Sequence, residues 1–182
     1  MEKIRENHIA DLIVECRNGK KSAQYQLFKR YFDSMFVVCN RIVSNQSDAE
    51  EVLQDAFVKV FFNLKKLKKP AAFGSWLKQT VINQSINFVK RSKQIKWEAL
   101  PPDFAELNDD KNLVEQIDEK LVVHAVKQLP EGCRIVFVLH LVEGYKHHEI
   151  AKMLKISVST SKSQYRRAKS ILKVKLKQEI HE

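Results

Sequence analysis

The sequence predicts an all-α protein of two small helical domains, an N-terminal helix bundle and a C-terminal helix-turn-helix domain, joined by an acidic flexible linker. Three observations carry that prediction. Only four glycines and four prolines occur in 182 residues, too few for the turns that hairpins and sheets require. Apolar side chains recur at intervals of three and four through most of the chain, which is the helical period. Between Glu98 and Glu119 eight acids face a single base, Lys111, and Pro101 and Pro102 exclude a continuous helix there. The expected limits are 8–97 for the first domain, 98–118 for the linker and 119–177 for the second.

Taken in order, the first helix is expected over 9–17, ended by Asn18-Gly19. A second starts at Ser22 and carries Tyr25, Leu27, Phe28, Tyr31, Phe32, Met35, Phe36 and Cys39. The third starts at Ser47 or Asp48 and presents Val52, Leu53, Ala56, Phe57, Val60, Phe61 and Leu64 with a clean helical period. Asp48, Glu50 and Glu51 fall in its first turn, where the helix dipole favours negative charge. After Lys65, Lys66, Lys68 and Lys69, the segment PAAFGS reads as a loop, and a fourth helix follows over 75–93. The aromatic residues of this lobe lie at helical spacing and read as core.

The linker is expected to enter a helix near Leu113. Leu121, Val122, Ala125, Val126 and Leu129 then make one apolar helical face, ended by Pro130. The run RIVFVLHLV, 134–142, is apolar and β-branched enough to suit a buried strand, but helical neighbours on both sides and a C-cap at Gly144 favour a buried helix. Last comes YKHHEIAKMLKISVSTSKSQYRRAKSIL, 145–172. Ile150, Ala151 and Leu154 make the apolar face of a short helix, and Val158, Ser161, Tyr165, Ala168 and Leu172 make a stripe on the next. That stripe leaves Thr160, Ser163, Gln164 and Arg167 outward, with Lys162 and Arg166 on the flanks. Ser157 is placed to cap the second helix by accepting from the amide of Ser159 or Thr160. Such a pair reads as a helix-turn-helix, whose second helix enters a DNA major groove; an ordinary basic helical hairpin is the alternative.

Charge supports a nucleic-acid partner. Lys and Arg number 32 against 22 Asp and Glu, a net charge of +10, and a basic chain of this size is attracted to polyanions. No apolar run approaches the ~20 residues that span a bilayer, and the opening MEKIRENHIADLIVEC lacks a secretory signal's apolar segment. A cytosolic location without membrane insertion is expected. Cys16, Cys39 and Cys133 are too far apart for a metal knuckle and read as buried small hydrophobes.

With both lobes laid out, the chain resembles a bacterial RNA polymerase sigma factor of the extracytoplasmic-function group, from about Tyr25 to Leu176. DAEEVLQDAFVKVF, 48–61, resembles the helix by which such factors dock on the clamp of core RNA polymerase. FGSWLKQTVINQSINFVKR, 73–91, is similar to the segment that melts and reads the −10 promoter element. The stretch 129–172 resembles the domain that reads the −35 element. The resemblance implies polymerase contacts by Asp48, Glu51, Gln54 and Asp55. It implies −10 contacts by Asn83, Asn87, Lys90 and Arg91, with Trp76 as packing residue or base-stacking platform, and phosphate contacts by the four lysines. It implies −35 contacts by Lys162, Ser163, Gln164 and Arg167, with Thr160 and Arg166 on phosphate. Arg or Lys suits guanine, and Gln suits adenine, in the major groove.

The implied partners are core RNA polymerase (clamp and flap), promoter DNA and an anti-sigma factor, with a monomer when free. Four positions depart from the family's pattern. Lys146 replaces the usual Ser or Thr, so the capping box with Glu149 is expected to be missing. Lys155 replaces a turn Gly, Ser161 an apolar residue and Asn87 an Asp.

Rival readings rest on less. His147, His148 and Glu149 lack the i, i+4 histidine spacing of a zinc helix. Neither a glycine-rich phosphate loop nor a locally supported nucleophile–histidine pair is present, so no enzyme activity, cofactor or metal is expected. A free-standing helix-turn-helix repressor or activator is the main alternative. An interaction protein that meets only a regulator is the other. Neither uses the acidic third helix or the −10-like helix.

Overall fold

In the computed structural model the described residues are 2–92, 95, 97 and 119–180. The expected flexibility of the linker and its helix near Leu113 lie outside them. Every regular element among the described residues is helical, and the chain divides into two compact units, Met1–Lys93 and Gln94–Glu182.

The first unit holds α1 (Glu2–Arg17), α2 (Lys21–Val43), α3 (Gln46–Phe62) and α4 (Phe73–Ser92). Gly19, at φ +80, ends α1 as the Asn-Gly pair predicts. The cap of α3 is Asn45 rather than Ser47 or Asp48: its Oδ1 accepts from the Asp48 amide at 3.0 Å. The PAAFGS segment is only partly a loop. Pro70–Ala72 makes one 3₁₀ turn and α4 starts at Phe73, a residue fully buried against α2, where its ring meets Tyr31 edge-on at 5.3 Å. The core is laid down by apolar helix faces: Leu27, Ile42, Leu53, Phe57, Leu77, Val81 and Ile86 are all buried. Phe28 and Phe57 join α2 to α3 edge-on at 4.8 Å, as expected of core aromatics, whereas Tyr25 and Phe62 are largely exposed and lie outside the core.

The second unit holds α5 (Glu119–Lys127), α6 (Glu131–Phe137), α7 (His147–Leu154) and α8 (Val158–Ile180). The apolar run 134–142 is helical, as predicted. It leaves α6 through a π-helical turn, Val138–Val142, closed where the Glu143 amide donates to the Val138 carbonyl at 3.0 Å. Ala125, Leu129, Cys133, Phe137, Ala168 and Leu172 form the core between α5, α6 and α8. Pro130 separates α5 from α6, and Gly144, at φ +79, turns the chain into α7. Trp97, at the end of the expected first domain, lies in this second unit; its ring is close enough to Gly132 that a Cβ there would sit 3.2 Å from it.

All three cysteines are buried. Burial pushes the Cys16 and Cys39 thiols up to about 11, so they are protonated and inert at neutral pH.

Candidate nucleic-acid interface

The helix-turn-helix is α7, a tight turn and α8. Lys155 holds the turn in the left-handed region at φ +57, where the family's Gly has no steric penalty. Ser157 caps α8 as predicted, its Oγ accepting from the Thr160 amide at 2.9 Å. The capping box expected to be missing at Lys146 is half present. A lysine ammonium cannot accept from the helix amides, but the Glu149 carboxylate still accepts from the Lys146 amide at 2.7 Å.

The buried face of α8 differs from the predicted one by a small rotation. Ser161, Gln164, Ala168 and Leu172 are buried, while Val158 is 41% exposed and Tyr165 only half-buried. Gln164 is therefore not an outward DNA contact. It is 2% exposed, its Oε1 accepts from the Cys133 thiol at 3.2 Å, and it packs beside Gly132. Residues 164 and 165 sit about 100° apart on the helix. A stripe through 161, 168 and 172 accommodates either of them, and polarity alone pointed to the tyrosine. Gly132 settles it: lacking a side chain, it leaves the space that the glutamine amide fills.

The remaining α8 residues keep their expected side. Lys162 and Arg166 are exposed, and Thr160, Ser163 and Arg167 are partly exposed. Ser163 Oγ donates to the Thr160 carbonyl at 2.9 Å, an internal bond that fixes its rotamer. The first acid of α8 is Glu179, and before it Lys162, Arg166, Lys169 and Lys173 fall in one cationic column by helical geometry, with Arg167 beside it. Such a column binds a polyanion with strong salt dependence.

On α4, Trp76, Asn83, Asn87, Lys90 and Arg91 fall within a single arc of roughly 100° by helical geometry. Asn83, Asn87 and Arg91 are exposed, and Trp76 and Lys90 are partly buried. Gln79 Nε2 donates to Asn83 Oδ1 at 3.2 Å, and Arg91 Nε donates to the Asn87 carbonyl at 3.3 Å, which extends the polar ridge. The exposed lysines 65, 66, 68 and 69 occupy the turn before α4. That turn is held by a residue the sequence reading missed. Arg17 of α1 donates through Nε to the Leu64 carbonyl at 3.3 Å and through Nη2 to the Leu67 carbonyl. An arginine after the last apolar position of α1 reads as a solvated helix end, and nothing local connects it to a turn some fifty residues away.

On α3, Glu51, Gln54 and Asp55 are exposed and Asp48 is partly so, opposite the core face. Two further residues share this side and were also missed: Val58 is 54% and Phe62 is 85% exposed. The acidic edge of α3 therefore carries an uncovered apolar pair. The signal was available in sequence, since Val58 and Phe62 fall off the stripe made by Val52, Leu53, Ala56 and Val60.

The His147–His148–Glu149 cluster does not converge. Glu149 turns back to the Lys146 amide, His147 to Ser161, and His148 is exposed. Among the described residues no three of His, Cys, Asp and Glu are grouped to hold a metal ion. Nor is any described helix long and apolar enough to cross a membrane.

Comparison with known proteins gives this arrangement its family. Residues 27–95 match the family described as sigma-70 region 2, and residues 119–172 match sigma-70, region 4. The chain is 29% identical over 153 residues to the extracytoplasmic-function (ECF) RNA polymerase sigma factor SigE of Mycolicibacterium smegmatis, an alignment covering 81% of this chain and 59% of that protein. It is 24% identical over 184 residues to the ECF sigma factor SigW of Bacillus subtilis, covering 91% of this chain and 95% of that one. Among solved structures, the sigma factor RpoE of Bartonella quintana, determined with the anti-sigma factor NepR, shares the fold. Its TM-score is 0.52 at 18% identity, covering 84% of this chain and 96% of that one. With region 2 and region 4 in order on one chain, and relatives of one kind along its length, the chain belongs to the extracytoplasmic-function group of the sigma-70 family.

Proposed function

We propose that this sigma factor directs core RNA polymerase to its promoters through three separate surfaces. The observation that carries the proposal is the division of polar character among three helices. The α8 face is cationic, the α4 ridge is rich in amides, and the α3 edge is acidic with Val58 and Phe62 uncovered. On α3, Asp48, Glu51, Gln54 and Asp55 meet basic clamp residues of the polymerase, and Phe62 supplies the apolar contact that exposed ion pairs alone do not. On α4, Asn83 and Asn87 offer donor and acceptor together to unpaired −10 bases, Lys90 and Arg91 hold phosphate, and Trp76 packs behind them or stacks on a base. The four lysines take phosphates of the opening strand without reading sequence.

On α8, Lys162, Ser163 and Arg167 reach −35 base edges, and Thr160 and Arg166 hold phosphate. The first unit, up to Lys93, and residues 119–177 of the second act as the two reading domains. Tethering makes the second contact intramolecular, so two weak sites grip as one. The free chain works as a cytoplasmic monomer, meets the flap as well as the clamp, and is held by an anti-sigma factor, as the Bartonella relative was by NepR.

Permanganate footprinting of a promoter fragment, with the chain and core polymerase added singly and together, tests this reading. Thymines of the −10 element should become reactive only with both present. Tight protection of a two-fold symmetric site by the chain alone, with no reactive thymines, would instead establish the free-standing repressor.

A further inference from the structure

One polar cluster in the second unit serves none of these surfaces, and three elements build it. His147 opens α7, with Nδ1 2.9 Å from Ser161 Oγ. Ser161 is fully buried on α8, where a desolvated hydroxyl needs a partner. His140, from the π-helical turn, stacks on His147 with ring centroids 4.2 Å apart and planes 24° from parallel. Its Nδ1 donates to the Tyr145 carbonyl at 2.8 Å, which fixes that ring's orientation. Tyr165 of α8 closes the cluster, edge-on to His140 at 4.7 Å and to His147 at 5.7 Å. The serine that departs from the family's apolar pattern thus pairs with a histidine on the facing helix.

We propose that His147 is a positioning residue for the recognition helix: its ring latches α8 to α7 through Ser161, and protonation of His147, which sets a cation against the His140 ring and the Lys162 ammonium, loosens that packing and weakens reading of the −35 duplex. The latch rests on this chain's own contacts, whereas its effect on DNA rests on the sigma-factor reading.

Charge makes the latch sensitive to pH. The groups that face His147 are the His140 ring of the π-helical turn, and the Lys162 ammonium and Tyr165 phenol of α8. On its own helix, the Glu149 carboxylate is taken by the Lys146 amide, and the positive end of the α7 dipole lies at His147 itself. Burial first, then His140, then Lys162, holds His147 below the ordinary value of 6.5. A proton on His147 meets the positive end of the α7 dipole and the Lys162 ammonium, so the charged ring is disfavoured where it packs. Because the folded value is depressed, stability present above pH 6.5 is lost as pH falls from there through the folded value.

The test follows histidine ring NMR signals of the full chain from pH 8 to pH 5, with thermal unfolding at both ends. His147 should titrate below the ordinary range, and His140→Asn should move it upward. His147→Asn, whose amide can still bond Ser161, should keep the neutral-pH melting temperature and flatten its acid decline. His147→Ala should lower the melting temperature at both ends; if it fails to fold, wild type, His140→Asn and His147→Asn still decide. An unmoved titration in His140→Asn, or an acid decline in His147→Asn as steep as in wild type, overturns the latch. Run-off transcription by holoenzyme from a genomic fragment library supplies the DNA arm, with promoter-specific output at acid pH divided by that at neutral pH. The ratio should be lower for wild type than for His147→Asn, and equal ratios overturn the link to DNA. Absence of any promoter-specific transcript at neutral pH overturns the sigma-factor reading and leaves the latch to the NMR and melting results.

Discussion

Gln164 gives the sharpest test of the α8 geometry, because reading by periodicity and reading by packing assign it opposite roles. Gln164→Ala removes one buried methylene, Cγ, about 0.8 kcal/mol, together with the carboxamide. It also removes the acceptor of the Cys133 thiol, a weak bond contributing about 0.5 kcal/mol. The expected loss is about 1.3 kcal/mol, which for a domain of this size lowers the melting temperature by roughly 5–10 °C. Trp97 lies beside the site, so its fluorescence in a Trp76→Phe background reports melting of the second unit. Gln164→Met, which conserves volume, should cost less than about 1.5 kcal/mol and leave holoenzyme discrimination between a promoter and its −35-scrambled version unchanged. Arg167→Ala should do the reverse. Stability should change by less than about 0.5 kcal/mol, and discrimination should fall by about 1–3 kcal/mol. If Gln164→Met melts like wild type yet loses discrimination as Arg167→Ala does, Gln164 reads a base and its buried position is wrong.

Other outcomes follow from single contacts. Asn45→Ala removes the α3 cap and should destabilise the first unit by about 1 kcal/mol in denaturant unfolding, whereas Ser47→Ala should change little. Lys155→Gly relieves a left-handed lysine and should stabilise the second unit by about 1 kcal/mol. Arg17→Ala frees the lysine turn and should cost about 2 kcal/mol for two charge-assisted bonds to carbonyls; Arg17→Lys should not restore it, since an ammonium lacks the guanidinium's fork. Phe62→Ser should leave melting unchanged and weaken binding to core polymerase, measured by co-migration of labelled chain with the enzyme.

Legibility in the sequence followed the range of the interaction. Helix periods, the Gly19 and Gly144 ends and the Ser157 cap are set within a few residues, and they were read correctly. The run 134–142 was assigned to helix from its neighbours, although its wider final turn carries no local signature. Contacts across the fold were not legible. Ser161 looked like a defect in the apolar stripe because its partner, His147, lies on another helix. Gln164 looked outward because Gly132, thirty-two residues earlier, makes the space it fills. Arg17 looked solvated for the same reason. The start of α3 is read one or two residues late, at Ser47 or Asp48 instead of Gln46, because Asn45, Ser47 and Asp48 are all good caps and only backbone geometry selects among them. For the candidate site, residue types single out α3, α4 and α8, while Val58 and Phe62 stand out only once their exposure beside the acids of α3 is seen.

The central claim, that this chain confers promoter specificity on core polymerase, is tested most directly by run-off transcription. Genomic fragments are transcribed with purified core polymerase, with and without the chain. The account predicts discrete new transcripts that require the chain and disappear with Arg167→Ala. Transcription that is the same with and without the chain would contradict it.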